Sequence, residues 1–212
     1  MITGKEIVSL LIALVVLAFS NSFKDIIGGN SSVFLNSIVF FAIILIIYTL
    51  SKKLTAYYYE SEEESKLWTF QRYWIYEKSY FKTPIPLGLI LSFLLSILTL
   101  GYVKWFAVTE SDVRITPARA VKRHEYYSYS EMTEWNLGVI SASGIFFCFV
   151  LAIIAYILNY SELARLSVFF ASFNLLPLGK LDGSRVFFGS RILYAILVTI
   201  AVIALAYAFL LP

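Results

Sequence analysis

Residues 173 to 187 read FNLLPLGKLDGSRVF: an apolar run, broken at Pro177 and Gly179, that then delivers Asp182-Gly183. Pro177 removes a backbone donor and frees a carbonyl, so a helix arriving through Leu175 opens just before the carboxylate. In a water-soluble chain this is an ordinary helix-ending loop with an acidic residue. In a bilayer, an ionisable residue at the end of a broken apolar helix marks a functional position. The rest of the chain decides which solvent applies.

The 212 residues are 59% hydrophobic and 15% charged, with mean hydropathy +0.78. A surface built from that composition is too apolar for water, which excludes soluble enzymes and disordered chains. Cys148 is the one cysteine, so no internal disulfide forms. Net charge is +3, with no basic cluster interleaved with aromatics away from the membrane-adjacent loops, which argues against nucleic acid as a partner.

A hydrocarbon core of about 30 Å asks for about 20 apolar residues per helix. Six runs approach that length: 7–23, 33–50, 85–103, 137–158, 163–178 and 192–211. The pattern predicts an all-α, polytopic helix bundle forming one integral membrane domain over residues 1–212. The first run also reads as a secretory leader, since Lys5 precedes a short apolar core ending near Ala18 and Ser20. Two polar loops, 51–84 and 104–136, carry Tyr and Trp near their ends, as expected of rings at headgroup level. The acidic run Glu60, Glu62, Glu63 and Glu64 reads as a solvated turn.

Lys and Arg gather on the cytoplasmic side of membrane proteins. If all six runs span, the 17 basic residues divide eight against nine, with no bias. If 85–103 enters and returns, helped by Pro84, Pro86, Gly88 and Gly101, they divide fifteen against two, Lys24 and Arg165. The expectation is therefore five spanning helices plus a re-entrant element, with a cytoplasmic N-terminus. Irregular backbone at that depth requires shielding from lipid, and hence a packed cavity.

Asn174, Pro177, Leu181, Asp182 and Gly183 follow the pattern N-x-x-P-x-x-x-L-D-G, which resembles the site-2 protease family of intramembrane zinc metalloproteases. The resemblance implies that Asp182 stands at the third zinc-ligand position. The other two ligands would be histidines of an HExxH on an earlier helix, whose Glu is the general base. That helix resembles the second run, IIYTLSKKLTAYYY, which puts Tyr48, Thr49, Leu50, Ser51 and Lys52 where the family has HExxH. Both histidines and the Glu are replaced, while the flanks Lys53, Leu54, Thr55 and Ala56 persist. Glu64, Lys66, Leu67 and Trp68 resemble the interfacial segment that follows. Ser143 to Cys148 is similar to the family's A-G-P-x-x-N, keeping only Gly144. The likeness runs in order from about residue 36 to 190, implying a protease-like core over 33–190 between a first membrane helix at 7–23 and a last at 192–211.

Catalytic zinc takes about three protein ligands, and this chain has one His and one Cys. His124 lies in the second polar loop, where it reads as solvated. Cys148 continues a stripe of small residues with Gly144 and Ala152, which reads as close helix packing. Lys52 either pairs with Asp182, taking over the structural role of the metal, or snorkels with Lys53 to the headgroups. A rhomboid-like Ser–His dyad lacks a membrane-embedded histidine, and a presenilin-like aspartyl pair lacks a second aspartate. A transporter would need a second broken helix in a matching position, and none is evident. The resemblance then implies a pseudoprotease, with no cofactor, that binds transmembrane segments of client proteins in the lipid bilayer. Trp68 and Phe70 are its client-binding candidates, and a prokaryotic cell membrane is its expected location. The alternative is a divergent active protease whose zinc site a partner completes.

Overall fold

The computed structural model describes residues 3–29, 32–72, 80–116 and 132–210, and is mostly helical. In chain order the elements are α1 (Gly4–Ile27), α2 (Ser32–Tyr58), β1 (Ser61–Leu67), β2 (Phe70–Arg72), β3 (Tyr80–Ile85), α3 (Leu87–Leu98), β4 (Thr109–Ile115), α4 (Glu134–Ile157), α5 (Ser161–Asn174), α6 (Asp182–Gly189) and α7 (Arg191–Leu210). Four helices, α1, α2, α4 and α7, are long and apolar enough to cross a membrane. Their outward faces carry large apolar side chains, among them Leu35 at 65%, Leu54 at 63%, Ile153 at 62% and Ile192 at 77% exposure. A patch of that extent is untenable in water and suits lipid.

α1 and α2 run antiparallel. Near the start of α1, Glu6 pairs with Lys53 of α2 at 2.8 Å. Near its end, Ser22 donates to Ser37 of α2 at 2.9 Å. α3 has 12 residues, about 18 Å of helix, too short to cross. After Gly101 the chain turns back along it, with Ser92 donating to the Trp105 carbonyl at 2.9 Å. The two ends of this hairpin meet at Trp68, which donates to the Val108 carbonyl at 2.7 Å and accepts from the Gly88 amide at 3.2 Å. Its tip lies beside the end of α1, where the Lys24 ammonium sits 4.5 Å over the Tyr102 ring. On the returning arm, Lys104 donates to Asn21 Oδ1 of α1 at 2.9 Å.

The chain is mostly helical, as expected of a bundle, but four short strands among the described residues correct the all-α expectation. β1 pairs antiparallel with β4, joining the two polar loops, and β2 pairs with β3. The acidic run is not a solvated turn: Glu62, Glu63 and Glu64 lie in β1, whose burial alternates so that Ser61, Glu63 and Ser65 face inward. On the outer face, Lys66 bridges to Asp112 at 2.5 Å and to Glu64 at 3.3 Å. Lys66, followed by Arg114, holds the Asp112 carboxyl below its ordinary value of 3.8. The Thr3 hydroxyl, followed by Lys66, holds Glu64 below its ordinary 4.5. A carboxylate with a depressed folded value stabilises the fold above its unfolded value and loses that contribution as pH falls. Protection of the β1 amides from hydrogen exchange is therefore expected to drop below about pH 4 while the long helices stay protected.

The run 163–178 does not form one helix. α5 ends at Asn174, 14 residues long, and an irregular segment through Pro177 and Gly179 leads to α6. A side chain on Gly183 would run into the Leu175 carbonyl, so the end of α5 and the start of α6 pack backbone to backbone. Gly183→Ala is expected to cost about 3 kcal/mol, the upper part of the overpacking range, read as a lower unfolding midpoint in detergent.

Candidate functional site

Tyr48 and Lys52 stand four residues apart on α2, one helical turn, so both side chains leave the same face. Asp182, at the first turn of α6, meets them there. The Tyr48 hydroxyl donates to Asp182 Oδ2. Lys52 Nζ lies 3.2 Å from the same oxygen, 3.4 Å from Glu63 Oε1 and 2.7 Å from Ser111 Oγ. It also sits 4.0 Å over the Tyr48 ring. Ser141 of α4 donates to Asp182 Oδ1 at 3.3 Å, and Ser65 donates to Glu63 Oε1 at 2.9 Å. Tyr48, Lys52 and Asp182 are fully buried, and Glu63 is 4% exposed.

The ammonium thus donates two hydrogen bonds, to Ser111 and Asp182, and forms a longer ion pair with Glu63. It is shared by two carboxylates, and Glu63 Oε2 is left buried without a partner. α4 closes over the pair through Gly144, where a Cβ would come within 2.8 Å of Lys52 Cγ and 2.9 Å of the Tyr48 ring. Gly144→Ala is expected to cost about 1–3 kcal/mol, with near-ultraviolet dichroism of Tyr48 altered as its ring shifts.

The residues at the three implied ligand positions, Tyr48, Lys52 and Asp182, are therefore neighbours in space. Thr49, at the position of the general base, turns away and donates to the Leu45 carbonyl of its own helix at 2.7 Å. Asn174 is buried and donates to the Phe170 carbonyl at 2.9 Å. Pro177 is exposed in the irregular segment, and Gly183 is buried against α5. Trp68 is not available as a client-binding surface: it is 4% exposed and stacks on Trp105 with centroids 6.3 Å apart. Phe70 keeps 39% exposure at the start of β2. His124 lies outside the described residues.

Reading the sequence missed Glu63, Ser65, Ser111 and Ser141. Residues 61 to 65 are polar at every position, so no apolar alternation marks the strand that would have found the first two. Ser111 and Ser141 carry no local signal, being recruited by the fold.

These donors do not suit zinc. An ammonium stands 3.2 Å from the retained carboxylate, where a divalent cation would be repelled. No family model, curated protein or solved structure matches this chain.

Proposed function

We propose that the protein is a catalytically inactive, site-2-protease-like membrane protein that binds or regulates transmembrane segments of other membrane proteins. The observation that carries this reading is the sealed Tyr48–Lys52–Asp182 group: the positions that correspond to a metal site hold an internal ion pair. In this reading α1, α2, α4 and α7 cross the bilayer, α5 and α6 together make a fifth, broken crossing, and the α3 hairpin is re-entrant. The N-terminus, β1 to β4 and α6 face the cytoplasm of a prokaryotic cell. Phe70, at the exposed end of β2, is the residue best placed to meet a client.

The test is elemental analysis of protein purified in the presence of zinc, beside an Asp182→Ala variant. The expected result is zinc well below one per chain in both. Stoichiometric zinc that is lost in the variant would overturn the reading in favour of an active protease. Client binding is tested by energy transfer between the protein and a labelled single-span peptide in liposomes. Saturation at low peptide-to-lipid ratio is expected, and purely linear, collisional transfer would remove the binding role.

A further inference from the structure

A pocket of about 260 Å³ opens between the first turn of α4 and the segment that carries Asp182. Lys180, Ser184, Arg185, Glu134 and Phe188 stand on its wall. Among the described residues, neither Lys180 nor Arg185 has a carboxylate within ion-pair distance. Arg185 donates to the Ser111 carbonyl, which fixes the guanidinium and leaves further N–H donors. Asp182 is committed to Lys52; Glu134 is the carboxylate on the wall against the two cations, and Glu110, outside the wall, acts on both from beyond ion-pair distance.

Ser184 adds an independent observation. It is 5% exposed, and its hydroxyl has no hydrogen-bond partner. A buried donor of this kind in a native protein calls for an acceptor that the chain itself does not supply. Beside the cations lie apolar side chains open to the surroundings, Phe188 at 71% and Leu178 at 44% exposure.

We infer that this pocket binds the phosphate of an acidic lipid headgroup, held by Lys180, Arg185 and the Ser184 hydroxyl, with Phe188 against the acyl chains. Arginine matches phosphate through its planar fork of donors. Basic pockets between helices on the cytoplasmic side receive acidic headgroups. The two cations and a short hydroxyl fit a single phosphodiester, and the exposed phenyl ring favours a lipid over a soluble phosphate. The inference rests on the cytoplasmic, membrane-adjacent placement of α6 proposed above.

The test is thermal unfolding of the intact protein in phosphatidylcholine nanodiscs with and without phosphatidylglycerol, and separately with inorganic phosphate. Phosphatidylglycerol is expected to raise the midpoint. Lys180→Gln and Arg185→Gln should each lower that rise, and the double variant should remove nearly all of it, the two losses being non-additive because both cations act on one phosphate. Lys5→Gln, an exposed cation away from the pocket, should keep it. Ser184→Ala should be no less stable than the parent in pure phosphatidylcholine, because it removes an unsatisfied hydroxyl, yet gain less from phosphatidylglycerol. A rise undiminished in the double variant would overturn the pocket. A rise produced by inorganic phosphate and not by phosphatidylglycerol would overturn the lipid as ligand and count against the membrane-adjacent placement, leaving the pseudoprotease test by zinc content unaffected.

Discussion

Lys52→Met is expected to destabilise the protein by about 3–5 kcal/mol, the cost of leaving buried charge without its partner. Two carboxylates lose their cation at once, Asp182 at 3.2 Å and Glu63 at 3.4 Å, and Ser111 loses its donor. The measurement is reversible unfolding in mild detergent followed by far-ultraviolet dichroism. Asp182→Asn alone should cost less, because Lys52 keeps Glu63 and an amide still accepts from Tyr48. Combining Lys52→Met with Asp182→Asn should restore stability only in part, since Glu63 remains charged. Adding Glu63→Gln to that pair should recover most of the loss, because neutral polar groups can satisfy one another where unpaired charges cannot. If Lys52→Met alone unfolds at the parent's midpoint, the ammonium is not what holds α2, β1, β4 and α6 together.

The largest gain is expected from rebuilding a ligand set. Tyr48 and Lys52 are separated by four residues on one face of α2, the spacing that lets two histidines share a metal. Both already touch Asp182. A Tyr48→His, Thr49→Glu, Lys52→His variant should carry about one zinc per chain, against background for the parent. Zinc at a hundredfold excess over its dissociation constant should then stabilise this variant by about 2.7 kcal/mol. Adding Asp182→Ala should abolish the zinc. A triple variant that folds but holds no metal would detach the site from the metalloprotease resemblance.

Much of the helical fold was legible because membrane helices announce themselves by length. The run at 33–50 lies within α2, which continues to Tyr58, and the run at 137–158 overlaps α4 as far as Ile157, with α4 starting three residues earlier at Glu134. The break in 163–178 was legible in Pro177 and Gly179, but the point at which α5 stops was not. That point depends on how Gly183 nests against the Leu175 carbonyl, a contact between residues on either side of the break. The β1–β4 pairing was hidden, because SEEESKL and TESDVRI are too polar to read as core strands. Glu63 is buried only because Lys52, on another element, is buried with it. In the site, Tyr48, Lys52 and Asp182 were legible through a motif and its spacing. Ser111 and Ser141 were not, since a hydroxyl becomes a ligand of a charge only once the fold has brought the charge to it.

The cation at the centre of this bundle is covalently part of the chain. Lys52 arrives with the ribosome's product, in fixed one-to-one ratio with the carboxylates it neutralises. A site closed by a diffusible ion waits for loading, empties under chelation and follows the nutrition of the cell. This one closes as soon as α2 and α6 meet, and should remain closed in a metal-starved cell or in the presence of a chelator.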